Sequence, residues 1–259
     1  MHRILGLRKN QNYTIELISF FIILFGLFTI CWPAFAQISL SKIHREAFLI
    51  DPEHAFIPAG FDSNDNVQII LNGTLPNPCY KIRNIETTLN QNKNRVDIKI
   101  IGAHTVGDIC ITVLTEYTQV VNLGKINAGK YKLRITGRKS NLKQSFYISE
   151  ATTTNQDNYQ YAQISKLEVL NTDYQNHVAE VNISGNFRES CYTLDQVNMH
   201  ITKENVIEVL PIMKKTSKIC QDVMIPFTYT LSTGALKEGK YLVHVRSEKG
   251  TSLNKVIEL

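Results

Sequence analysis

Ten residues, Leu71-Asn-Gly-Thr-Leu-Pro-Asn-Pro-Cys-Tyr80, return in altered form as Ile183-Ser-Gly-Asn-Phe-Arg-Glu-Ser-Cys-Tyr192. Gly73, Leu75, Cys79 and Tyr80 recur 112 positions later as Gly185, Phe187, Cys191 and Tyr192. A second block, Ile126-Asn-Ala-Gly-Lys-Tyr131, recurs after 110 positions as Leu236-Lys-Glu-Gly-Lys-Tyr241. That period exceeds the roughly 20–50 residues of a solenoid unit and suits a whole small domain. The 259-residue chain therefore reads as two tandem modules, 54–150 and 163–259. A polar linker, 151–162, joins them, and a short arm or extra strand, 37–53, precedes the first.

Inside the modules the patterning has period two. Val96, Ile98 and Ile100 alternate with Asp97 and Lys99, and Tyr131, Leu133 and Ile135 alternate with Lys132 and Arg134, as half-buried strands do. Val67, Ile69 and Leu71 form another strand, which Gly73 is expected to end. Ala55 to Ala59 is a candidate first strand, and Cys110 to Leu114 is rich in β-formers. Ile82 and Ile85, three apart, fit either a crossing strand or one helical turn; Leu194 and Val197 stand in their places in the second copy. Asp62-Ser-Asn-Asp-Asn66 and Asn90-Gln-Asn-Lys-Asn94 supply turns, because Asp, Asn and Ser bond their own backbone in tight bends. Many short strands with regular turns and no helical period predict an all-β chain, one β-sandwich per module.

The Gly-Lys-Tyr block with its following strand resembles the tyrosine corner of immunoglobulin-like and fibronectin-III-like domains. That resemblance implies that the rings of Tyr131 and Tyr241 pack in the core while their hydroxyls bond upstream backbone. The cysteines are too close together for antibody domains, and the single Trp, Trp32, precedes the modules. The expectation is thus two tandem Ig-like sandwiches outside the immunoglobulin superfamily. The paired motifs also resemble exported bacterial modules.

Four cysteines follow the N-terminal segment, and four allow three pairings. A duplicated folding unit should carry its own bridge, which selects Cys79–Cys110 and Cys191–Cys220. A four-thiol metal site is disfavoured, since there is no C-x-x-C pair; no cofactor and no metal are expected. The N-terminus places Arg3, Arg8 and Lys9 before an apolar run, Leu17 to Ile30, and Ala34-Phe35-Ala36 forms a small-x-small cleavage signal. Residues 1–36 read as a signal peptide, with an uncleaved membrane anchor as the alternative. Either way the modules lie outside the cytoplasm, periplasmic or extracellular. Without residues 1–36 the chain keeps 25 basic and 22 acidic residues, a net +3. That is too small and dispersed to argue for nucleic acid.

No nucleophile, base and orienting group stand in a recognisable hydrolase pattern. His54 beside Asp51 and Glu53 is the most suggestive cluster. Asp62, Asn64 and Asn66 have calcium-loop spacing but lack the glycine and the distal Glu. His104 falls in a loop, and His200 and His244 alternate with apolar residues, which predicts solvent-facing positions. Lys130 and Lys240 are expected to face solvent as well. The reading is a non-catalytic exported binding or structural protein with a protein partner, using loops or sheet edges. The candidate loops are Pro76, Asn77 and Pro78 in the first module and Arg188, Glu189 and Ser190 in the second. A secreted protease inhibitor with disulfide-pinned loops is the alternative, since a preorganised loop binds at lower cost.

Overall fold

The structure is a computed structural model that describes residues 45–105, 109–139, 141–157 and 159–259. The signal segment, the start of the arm and Trp32 lie outside the described residues. The chain is all-β. The first module contains β1 (Arg45–Ile50), β2 (His54–Phe56), β3 (Val67–Leu75), β4 (Tyr80–Asn90), β5 (Arg95–Thr105), β6 (Thr115–Gly124), β7 (Gly129–Thr136) and β8 (Asn141–Ile148). The second contains β9 (Gln163–Asp173), β10 (Val178–Glu189), β11 (Tyr192–Ile201), β12 (Val206–Lys215), β13 (Asp222–Ser232), β14 (Lys240–Ser247) and β15 (Thr251–Glu258).

Each module is a sandwich of a three-stranded and a larger sheet. In the first, β2-β3-β6 faces a sheet in which β4 pairs with β5, β5 with β7 and β7 with β8. In the second, β13-β10-β9 faces β11-β12-β14-β15. The layers are Ig-like, but β5 runs parallel to β7, and β12 parallel to β14. The chain thus leaves the larger sheet, contributes one strand to the other sheet, and returns in its original direction. β1, within the predicted arm, pairs antiparallel with residues 100–105 of β5, continuing the edge that β7 occupies at 95–99. The alternating apolar residues fill the two cores. Val67, Ile69, Leu71, Val96, Ile98, Ile100 and Leu133 are nearly solvent-free in the first, and Val181, Ile183, Ile207, Val209, Val243 and Val245 in the second.

Three local expectations change. Gly73 does not end its strand. β3 continues to Leu75, and β10 likewise runs through Gly185. The repeated glycine instead makes room for an aromatic ring on the facing strand, since Gly73 pairs with Tyr117 and Gly185 with Phe227. A Cβ on Gly73 would lie 2.8 Å from the Tyr117 hydroxyl. Ile82 and Ile85 lie in a strand, not a helical turn: the register slips between Ile82 and Asn84, and again between Leu194 and Gln196. One extra residue at a β-bulge returns side chains three apart to the same face. Cys110 to Leu114 forms no strand, and β6 begins at Thr115.

The two modules belong to one compact unit. The outer face of β2-β3-β6 lies on the outer face of β11-β12-β14-β15. Phe56, Ile70, Val206 and Leu242 form a buried cluster there, with Val256 against it. Burying side chains of this size contributes about 1.5–3 kcal/mol each before ordering costs. β14 is consequently buried on both faces.

Candidate interaction surfaces

Both disulfides form as the repeat predicts, one in each module: Cys79–Cys110 and Cys191–Cys220, separated by 31 and 29 positions. Each ties together the two segments that cross between sheets, β3 to β4 with β5 to β6, and β10 to β11 with β12 to β13. Closing loops of that size is worth about 3–4 kcal/mol in the chain-entropy model.

The candidate loop residues flank these bridges. Pro76 and Pro78 are exposed. Asn77 is half-buried and accepts the Cys79 N–H through its side-chain oxygen at 3.0 Å, while its backbone oxygen accepts the Tyr80 N–H at 3.1 Å. It therefore aims the cysteine. Arg188 and Glu189 end β10. The Arg188 guanidinium donates to Glu248 at 2.6 Å and to Gln163 at 3.3 Å. Ser190 binds the opposite crossing twice, its N–H to the Gln221 oxygen and its hydroxyl accepting the Gln221 N–H, each at 3.0 Å. Glu189 lies beside Cys191 and Cys220, but oxidised sulfurs are not thiolate ligands. Around the first bridge, Ile109, Ile111, Val113 and Leu114 are strongly exposed; Ile219 and Met224 are their counterparts around the second.

The module junction holds the buried polar groups. Arg246 of β14 donates to Asp65 at 3.0 Å, the two side chains being 9% and 6% exposed. It also donates to the Gly60 oxygen at 3.3 Å and lies 4.6 Å from the Phe61 ring centre. Glu208 of β12 accepts the Ala59 N–H. Burial pushes its carboxyl above the usual carboxylate range, opposed by that bond and by Arg246. Linker residue Asp157 accepts the Gly250 N–H at 3.1 Å, and its carboxyl is also pushed up by burial. A small cleft of about 200 Å³ between Gly60, Tyr159, Tyr161, Glu208 and Arg246 opens beside these groups.

Comparison with known families adds one finding. The model of the ORF11 beta-sandwich domain matches residues 69–148 and 181–259, together more than half of the chain. The chain belongs to the ORF11 beta-sandwich domain family. No curated protein and no solved structure matches it significantly. The matched segments run from β3 through β8 and from β10 through β15, so each ORF11 beta-sandwich domain carries one disulfide and one Gly-Lys-Tyr block.

The two copies of that block differ. The Tyr241 hydroxyl donates to the Lys237 oxygen at 3.1 Å. The Tyr131 ring is fully buried and stacks on Phe146 at 5.5 Å, but its hydroxyl finds no acceptor among the described residues. Burial raises the Tyr131 pKa. Lys130 is exposed as expected. Lys240 is not: it reaches across the junction to Glu116 at 3.1 Å and Glu53 at 3.8 Å with 14% of its side chain exposed. The Glu116 hydrogen bond, against desolvation, raises its pKa.

His200 is exposed, but His244 is 1% exposed. It bonds Asn254 at 2.7 Å and packs on Phe61, and burial lowers its pKa to about 4. β14 alternates as an ordinary half-buried strand, yet the first module covers its polar face. The apolar Val206 and Leu242 at outward positions were the available signal. His104 lies in β5, stacked on Tyr80 at 4.4 Å. His54, Asp51 and Glu53 do not converge: His54 stacks on Phe56, Asp51 accepts the Lys139 N–H, and Glu53 accepts the Thr74 hydroxyl. Asp62 and Asp65 close the predicted turn, Asp62 accepting the Asn64 N–H and Asp65 the Asp62 N–H.

Proposed function

We propose that the chain is an exported, non-catalytic binding or structural protein whose two ORF11 beta-sandwich domains act as one rigid body toward a partner. The observation that carries this is the junction. An apolar cluster, a buried Arg246–Asp65 pair and the Lys240 bridge fix the domains against each other, as presentation of a surface requires and as two flexibly tethered domains do not. The disulfides support export, because such bridges persist in oxidising compartments. Three carboxyl and imidazole groups beside the junction whose pKa values shift, His244, Glu208 and Asp157, sit in packing and hydrogen-bonding roles, which supports the non-catalytic reading. Trapping free thiols in intact cells expressing the full chain tests this. Blocked module cysteines are expected; four alkylated cysteines refute export.

The inhibitor reading keeps one observation in its favour: an exposed apolar segment, Ile111 to Leu114, directly follows a disulfide-pinned crossing. Incubating the oxidised protein with a panel of secreted proteases decides it. Undiminished hydrolysis of reporter peptides removes that reading.

A further inference from the structure

The two modules present the same sheet face to different surroundings. Parallel pairing aligns them residue by residue: Arg95 and Lys132 stand where Val206 and Leu242 stand, and Asp97 and Arg134 where Glu208 and His244 stand. In the second module this face is covered by the first. In the first module none of the described residues covers it, and it is cationic. Lys130, Lys132 and Arg134 project along β7, with Arg95 on one side and Lys143 on the other. Asp97 lies between Arg95 and Arg134 at 2.7 Å from each. Among the described residues no carboxylate pairs with Lys130, Lys132 or Lys143. A shallow cleft of about 420 Å³ runs across the face between Arg95, Lys132, Arg134, Lys143 and Ser145. Tyr147, 65% exposed, stands opposite Lys130 at one end.

Two features set this face apart from an ordinary solvated surface. Lys132 is paired directly with Arg95, and Lys143 with Arg134. Like charges directly opposite on adjacent strands destabilise a sheet, and a surface that serves solubility alone intersperses both signs. The second module's open face shows that alternative: neutral Asn182, Ser184, Thr228 and Thr230 stand among Glu180 and a Lys166–Glu168 ion pair. The cations follow β7 for about 13 Å at the usual strand rise. The ammonium groups of Lys130, Lys132 and Lys143 are compact charges with no bidentate geometry, while Asp97 engages both guanidinium groups, those of Arg95 and Arg134. This suits a chain with repeating negative charge more than a single shaped anion.

We propose that the outer β5-β7-β8 face of the first module is a binding site for an acidic polysaccharide, whose sulfate or carboxylate groups lie along Lys130, Lys132, Arg134 and Lys143. The assignment rests on the exported binding reading and names its ligand class. A flat membrane is the weaker fit, because the face offers no aliphatic side chain to insert among the cations, and its exposed ring, Tyr147, stands at one end.

The test measures binding of the full oxidised chain to dextran sulfate, uncharged dextran and vesicles of phosphatidylglycerol. Binding to dextran sulfate alone is expected, weakening as salt rises. The double variant Lys132→Glu/Lys143→Glu should bind at least about tenfold more weakly, since each cation near an anionic surface is worth about fivefold. It should melt no lower than the parent, because both like-charge pairs are removed. A control of equal net charge, Lys218→Glu/Lys237→Glu, should keep its affinity. Equal losses in both variants overturn the site, as does binding to vesicles without dextran sulfate. Absence of dextran sulfate binding also overturns the site. It leaves the exported reading standing, because thiol trapping tests that independently.

Discussion

Arg246→Met removes a buried guanidinium at the module junction and keeps most of the side chain's bulk. Among the described residues Asp65, with its side chain 6% exposed, then retains only the Asp62 N–H at 2.9 Å. Glu208 and Asp157 also lose a positive charge that partly offsets the upward push of burial on their carboxyls. Breaking a buried ion pair by removing one partner costs about 3–5 kcal/mol, because the other charge stays buried without compensation. Against a total stability of about 5–15 kcal/mol that is a large fraction. Urea unfolding, followed by far-UV circular dichroism, reads it directly. With an m-value of about 2–3 kcal/mol/M, the midpoint should fall by about 1–2 M.

The double variant Asp65→Leu/Arg246→Met separates pairing from packing. Replacing both partners by apolar groups leaves no orphaned charge, so it should recover much of the loss. The parent should unfold in one transition, because its two cores share the junction; Arg246→Met should spread or split that transition. An Arg246→Met midpoint within about 0.4 M of the parent, or a double variant as damaged as the two single losses added together, refutes the claim that this pair holds the modules.

Three further outcomes follow from single contacts. His244 has a folded pKa of about 4 against roughly 6.5 unfolded. The unfolded chain therefore takes up the proton first, and stability is full above pH 6.5 and falls by about 3 kcal/mol toward pH 4. Glu208 acts in the opposite sense, its contribution declining as pH rises through its elevated folded value, so the comparison of parent with His244→Asn over pH 4–7 isolates the histidine; equal slopes refute it. Gly185→Ala drives a Cβ into the Gln163 backbone oxygen and to 2.9 Å from the Phe227 ring, whereas Gly73→Ala meets only side-chain atoms of Tyr117, the hydroxyl nearest at 2.8 Å. Thermal melts should show a loss of about 1–3 kcal/mol at Gly185 and a smaller one at Gly73. Tyr241→Phe should cost about 1 kcal/mol for its lost hydrogen bond, while Tyr131→Phe should be neutral or stabilising in the same melts; equal losses refute the difference between the two corners.

What the sequence reveals and what it hides divide along a physical line. The strands, the two cores and both disulfides were legible, because period-two burial and an internal duplication each leave a local signature. Ile82 and Ile85 were ambiguous because a bulge shifts the period by one residue and imitates a helical turn. Gly73 was misread as a strand end because its role is set by Tyr117, more than forty positions away. His244 and Lys240 were placed toward solvent because polar residues alternating with apolar ones look the same whether water or another module covers them. Comparing the copies would have separated these cases: Leu242 and Val206 replace Lys132 and Arg95 at outward positions, and apolar residues there need a cover.

The junction also explains why the two open faces have to differ from the covered ones. It joins unlike surfaces, a three-stranded sheet of one module and a four-stranded sheet of the next. A head-to-tail contact of this kind can propagate without closing, so the equivalent faces that the junction leaves uncovered need polar surfaces to stop it. At the second module's end, Ile70 of the junction is replaced by Asn182 in the equivalent register, which suffices. At the first module's end, Val206 and Leu242 are replaced by Arg95 and Lys132. Capping demands polarity but not a single sign of charge. Neutral residues and a paired Lys166–Glu168 at the opposite end show that a surface of mixed sign was available in the same fold. The like-charge pairs on β7 are therefore best explained by something that the face attracts, not only by what it must repel.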